Sequence, residues 1–236
     1  MHGKSADRRF TLLKSCGALL AAAVLVVACG GEPRRSQPPE YYTVRKGDTL
    51  YSIGWRHGLD YRDIARWNGI GRDYRIDVGQ RLRLRPPSGR AHASTRGSGG
   101  SASPRTPPAP LPQPPPWVWP VTGGVVVGQV RQPSGGVGLR IDGTLGQPVF
   151  AAADGKVVYT GSALRGYGQL VIVNHARGWL TAYGHNSAVL VGEGDEVRAG
   201  QRIAAMGLGP NQQPMLYFEV RIEGKPVDPL TQLPRR

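Results

Sequence analysis

Cysteine is nearly absent from this sequence. The only two, Cys16 and Cys29, fall within the first 29 of its 236 residues. Beyond that point no disulfide, thiol nucleophile or thiolate metal ligand is available. Acidic residues are also scarce, with 16 Asp and Glu against 30 Lys and Arg, a formal charge of +14. That excess favours a polyanionic partner or makes a solvated basic surface. No zinc finger, RNP-type aromatic run or helix-turn-helix pattern is present, so nucleic acid is not expected as that partner. His-Glu-x-x-His and Gly-x-Ser-x-Gly motifs are missing as well. The one strongly apolar run, CGALLAAAVLVVAC, is too short to span a bilayer comfortably.

That run ends a typical export pattern. A basic segment, MHGKSADRRFTLLK, precedes it and GGEPRR follows. Val26-Val27-Ala28-Cys29 resembles a bacterial lipobox. The resemblance implies cleavage after residue 28 and lipidation of Cys29; a plain signal peptide or an anchor helix is the alternative. Loss of Lys4, Arg8, Arg9 and Lys14 with Asp7 would leave 26 basic and 15 acidic residues, about +11. More than one acyl chain on Cys29 would hold the protein at a membrane. Gly30, rather than Asp, follows the cysteine, which implies an outer-membrane lipoprotein facing the periplasm of a Gram-negative cell.

The remaining chain divides by composition. Residues 29–40 form a polar, lipidated tether. Residues 41–85 alternate between strand and helix signals, in the order βααβ. Asp48 or Thr49 can cap the first helix, Asp60 can cap the second, and Gly69 ends it. Residues 86–116, PPSGRAHASTRGSGGSASPRTPPAPLPQPPP, read as a disordered Gly/Ser- and Pro-rich linker. Residues 117–236 show short strands separated by Gly turns and no amphipathic helix of normal length. They predict an all-β sandwich, and the protein is expected to be mainly β.

Residues 41–85 resemble a LysM domain through Tyr42-Thr43-Val44, Gly47-Asp48-Thr49-Leu50, Ile53, Ile64, Asn68, Ile76 and Gly79-Gln80-Arg81-Leu82. The resemblance implies binding to N-acetylglucosamine-containing glycans such as peptidoglycan, at Gly47, Asp48, Thr49, Leu50, Arg75 and Ile76. Ile53, Ile64 and Asn68 read as core and turn residues.

Residues 117–236 resemble the LytM, or lysostaphin-type, metallopeptidase domain. The carrying motifs include Trp119-Pro120, Ala152-Ala153-Asp154-Gly155, Gly166-Tyr167-Gly168, Tyr183-Gly184-His185 and Tyr217-Phe218-Glu219-Val220. Active members hold a Zn²⁺ with a His and an Asp four residues apart and the second His of a His-x-His strand. Gly136, Arg140 and Tyr217 stand at those positions here, Met215 replaces the first His of the pair, and only His185 survives. A guanidinium does not ligate a cation. Asp142 lies about 7 Å further along the same strand face as Arg140, and His175 ends another strand; neither is expected to rebuild a zinc site. The resemblance thus implies a degenerate peptidase with no cofactor.

The strand PMLYFEVR alternates strictly. Leu216, Phe218 and Val220 form its core face; Met215, Tyr217, Glu219 and Arg221 form an exposed or groove face. Lipobox, LysM, linker and degenerate LytM domain together resemble the NlpD-type lipoproteins, and the Leu-Tyr-Phe-Glu strand is similar to EnvC-type proteins. This implies a non-enzymatic activator of periplasmic N-acetylmuramoyl-L-alanine amidases in septal wall splitting. Arg140, Tyr167, His185, Met215, Tyr217 and Arg221 would form the amidase-binding groove, with the two arginines bonding carboxylates. Structural roles for Tyr167 and Met215, and pairing of Arg221 with Glu219 or Glu223, are the alternative. An active endopeptidase with an unusual metal site and a purely structural wall tether are the other functional readings.

Overall fold

The structure, a computed structural model, describes residues 38–87, 112–132 and 135–235. The signal segment, Cys29 and most of the linker lie outside these residues.

The small unit begins with β1 (Tyr41–Thr43), continues through α1 (Leu50–His57) and α2 (Tyr61–Asn68), and closes with β2 (Arg81–Arg83), antiparallel to β1. Thr49 caps α1: its hydroxyl accepts from Ser52 N–H at 3.1 Å while the Ser52 hydroxyl accepts from Thr49 N–H at 3.0 Å. Two of the backbone donors at the helix start are thereby satisfied. Gly58, at φ 65°, terminates α1 in the left-handed conformation. Asp60 caps α2 and Gly69 ends it. Asn68 clamps α2 to β2, donating to Ile64 and Arg83 carbonyls and accepting from Arg83 N–H. Ile53, Ile64 and Leu82 are fully buried in this unit.

The second unit is antiparallel throughout. Its strands are β3 (Val125–Arg131), β4 (Val137–Asp142), β5 (Pro148–Phe150), β6 (Gly155–Gly161), β7 (Leu170–Asn174), β8 (Trp179–Gly184), β9 (Asn186–Val189), β10 (Glu196–Val197), β11 (Arg202–Leu208), β12 (Pro214–Ile222) and β13 (Lys225–Val227). The order β10-β6-β7-β8-β12 forms one surface, and β12 also pairs with β4, which pairs with β3. β12 is therefore central. Its Leu216, Phe218 and Val220 pack with Leu139, Val171, Val173 and Tyr183 in the inner core. The linker's C-terminal end is held to this unit, as Trp179 Nε1 donates to Gln113 O at 3.2 Å.

The opposite face of the sheet departs from expectation. Met215, Tyr217, Glu219 and Arg221 are 5%, 0%, 0% and 1% exposed. This face is neither open nor solvated. Tyr217, Tyr167, Leu170, Ile172, Leu180 and Ala182 join one apolar cluster with Ile53, Trp55, Tyr61 and Ile64 of the small unit. The two units share a core, with α1 and α2 covering the outer face of β6, β7, β8 and β12.

Candidate functional site: a covered groove

β12 and its neighbours place the expected groove residues together. Tyr217 lies opposite Gly184 on β8 and Arg140 on β4. Tyr167 reaches in from the β6–β7 loop, its ring centroid 5.3 Å from that of Tyr217 in an edge arrangement. Both hydroxyls donate to Glu219 Oε2, Tyr217 at 2.7 Å and Tyr167 at 3.2 Å. Arg221 Nε donates to Glu219 Oε1 at 2.6 Å. A buried carboxylate is tolerated only when paired and bonded in this way. Burial, with the Glu219 charge next, pushes the Tyr217 phenol far above its usual range, so it remains a donor.

Arg221 also reaches beyond its own domain. Its Nη1 donates to the Trp55 carbonyl at 2.7 Å, and its guanidinium lies 3.8 Å from the Trp55 ring centroid. Trp55 is in the last turn of α1. Arg221 thus supplies a cation to a last-turn carbonyl that otherwise accepts only a long 3.4 Å bond from Gly58 N–H, where the helix dipole is negative. Trp55 itself meets the Tyr167 ring edge-on at 6.4 Å.

These contacts correct two expectations. Arg221 is consumed by Glu219 and Trp55 and is not free to meet a partner's carboxylate. Arg140 is paired as well, with Nε 2.6 Å and Nη2 3.0 Å from the Asp142 carboxylate. Alternate residues of one strand share a face, which brings the pair together; the hydrogen bond to Asp142 holds the guanidinium pKa above its usual value. Of the six groove residues, Arg140 alone keeps appreciable exposure, with its side chain 24% accessible. His185 is 8% exposed in a left-handed conformation, φ 61°, and burial lowers its pKa.

A zinc ion does not fit this residue set. Gly136 offers no ligand, and a Cβ there would lie 2.5 Å from Glu219 Oε2 and 2.6 Å from the Tyr167 hydroxyl. At Gly138 a Cβ would approach the Tyr217 ring to 2.7 Å. The tyrosine–glutamate–arginine network fills the space a ligand side chain would need, and a second cation, Arg140, stands opposite Tyr217. His175 serves elsewhere: its ring bonds the Asp154 carbonyl at 2.7 Å and the Thr181 hydroxyl at 2.8 Å. Its burial depresses its pKa to about 4.

The glycan-site residues divide. Gly47 and Arg75 are exposed and Ile76 half-buried, as a contact surface requires. Leu50 is 1% exposed and belongs to the core. Asp48 accepts from Tyr42, Arg56 and its own loop's Arg45 N–H, and Thr49 is the helix cap. These three build the loop from within.

Comparison with known proteins agrees with both units. Residues 42–85 match the LysM domain, and residues 134–229 match Peptidase family M23. A Pseudomonas aeruginosa lipoprotein NlpD/LppB homolog is 38% identical, the alignment covering 95% of this chain and 94% of that protein. The chain belongs to the NlpD/LppB lipoprotein family. The Escherichia coli lipoprotein YgeR is also 38% identical, over 92% of this chain and 91% of that one. Escherichia coli murein hydrolase activator NlpD is 35% identical, over 88% of this chain and 71% of that one. Among described residues, no helix is long and apolar enough to cross a membrane.

Sequence reading missed the cover supplied by the LysM module. A signal for it exists: Leu170, Ile172, Leu180 and Ala182 are apolar on the strand face that β12 shares with Tyr217, and a solvated face would alternate to polar residues.

Proposed function

We propose that this protein is a non-catalytic activator of periplasmic N-acetylmuramoyl-L-alanine amidases, acting in septal peptidoglycan splitting. Lipidated Cys29 tethers it to the outer membrane, and the LysM module holds the wall. The observation that carries this reading is the replacement of a metal site by the Tyr167–Tyr217–Glu219–Arg221 network in an otherwise intact fold. Such a face cannot activate water through a metal, yet it carries the aromatic rings of Tyr167 and Tyr217 and the Arg221 guanidinium, side chains suited to recognition once uncovered. The name of the relative NlpD, a murein hydrolase activator, supports the same assignment.

The cover refines it. In the free protein the LysM helix α1 occupies the face a partner would use. Arg221 bonds the Trp55 carbonyl in the last turn of that helix, so an amidase segment must take the place of α1 to reach Tyr167, Tyr217 and Arg221. Activation then begins with release of the LysM module. The assay is dye release from purified sacculi by this protein alone, by an amidase alone, and by both. The protein alone is expected to release nothing and the mixture to exceed the amidase. Lysis by the purified protein would refute the reading.

A further inference from the structure

Beside the covered face, the two units leave a cleft of about 500 Å³. Tyr42, Arg45, Lys46 and His57 line it from the LysM side, and Leu164 and Arg165 from the peptidase-like side. Tyr42 and His57 form an aromatic wall, their rings edge-on at 5.5 Å. Leu164, 2% exposed, backs the cleft from the core.

The charge in the cleft is one-sided. Asp48 is the only acid among the described residues that line it, and that carboxylate is saturated: Arg56 Nη2 donates at 3.0 Å, the Tyr42 hydroxyl at 2.7 Å and Arg45 N–H at 2.9 Å. Its side chain is 3% exposed. Arg45, Lys46 and Arg165 are exposed and enter no ion pair among the described residues. His57 Nε2 is buried and has no hydrogen-bond partner among the described residues, so the ring meets the cleft as an aromatic wall and not through that atom. Burial lowers the His57 pKa, so the ring is neutral at pH 7.

The position of the cleft identifies its ligand. Arg45 and Lys46 directly precede Gly47, the exposed tip of the glycan-binding loop. A glycan strand held on that loop would lie beside the seam. In peptidoglycan the strand's substituents are lactyl groups amide-linked to stem peptides, and the peptides bear free carboxylates, the anion that arginine and lysine recognise. We propose that the seam is a subsite for the carboxylate-bearing stem peptide of the strand held by the LysM module, with Arg165 of the peptidase-like domain as its second wall. This rests on the wall-binding reading of LysM and adds a residue from outside that module.

The test is binding of the full chain, and of its Arg165→Glu variant, to three probes: peptide-bearing glycan strands, strands stripped of peptide, and chitin oligosaccharides, which carry no carboxylate. Arg165 is exposed, so charge reversal leaves the fold intact. The expected result is a loss of about tenfold for peptide-bearing strands with chitin binding unchanged. Retained affinity of the variant for peptide-bearing strands overturns the subsite, as does an equal loss for all three probes. A loss confined to stripped strands would reassign the anion to the lactyl group and overturn the peptide assignment. Failure of the unmodified protein to bind any probe would instead overturn the LysM reading beneath it.

Discussion

Arg221 donates to the carbonyl of Trp55 at 2.7 Å while its guanidinium stacks 3.8 Å from the centroid of that residue's ring. One side chain thereby neutralises a buried carboxylate, caps a helix and joins two domains separated by a long linker.

Removal of that side chain is expected to be severe. Arg221→Met strands the Glu219 charge in an apolar cluster, and breaking a buried pair costs about 3–5 kcal/mol. Glu219→Gln together with Arg221→Met should recover part of the loss, because no charge is left unpaired. Denaturant unfolding of both single variants and the double variant measures the coupling.

The module interface has a point where it can be pried open. Gly224, at φ 75°, sits in the β12–β13 turn, and a Cβ there would collide with the Leu59 and Asp60 backbone of the LysM module. Asn tolerates this backbone conformation. Gly224→Asn should therefore leave the turn intact and push the LysM module away. Overpacking costs about 1–3 kcal/mol, which shifts the covered–open balance by roughly 5- to 150-fold. At fixed amidase, the dependence of dye release on activator concentration should move to lower activator concentration; an unchanged curve would mean that the cover does not restrict access.

Zinc should not return with a single ligand. Gly136→His places its Cβ against Glu219 and Tyr167, so it is expected to lower stability by about 1–3 kcal/mol and to leave the dialysed protein without stoichiometric zinc. Metal analysis and thermal unfolding of the variant check both parts.

Acid should weaken the peptidase-like domain through His175. Its folded pKa, about 4, lies below the ordinary value of 6.5. Between those limits the unfolded chain takes up a proton that the folded chain refuses, so stability falls as pH drops from 6.5 towards 4. The loss is bounded at about 3 kcal/mol and levels off below pH 4. His175→Gln should flatten the stability profile across this window.

Much of the LysM module was legible because its determinants are local. Asp60 and Gly69 act within a turn of their own helix, and Thr49 proved to be the cap of the pair Asp48 and Thr49. Asp48 and Leu50 were assigned to glycan contact, but the loop uses them internally, since a short motif does not distinguish a residue that builds a loop from one that it presents. The alternation of β12 located Tyr217, Glu219 and Arg221 on one face. It did not say what lay against that face, because the answer depends on Trp55, 166 residues away. Continuous apolar character in Leu170–Val173, with apolar Leu180 and Ala182 on the neighbouring strand, was the available clue that both faces of the sheet are covered.

The most direct test of the covered groove is amide hydrogen exchange on the full chain with and without an activated amidase. Leu50–His57 and the facing backbone of the LysM module should lose protection when the amidase binds, while Pro214–Ile222 stays protected beneath the new partner. Stimulation of the amidase with undiminished protection of Leu50–His57 would show that the LysM module stays in place, and would contradict the account.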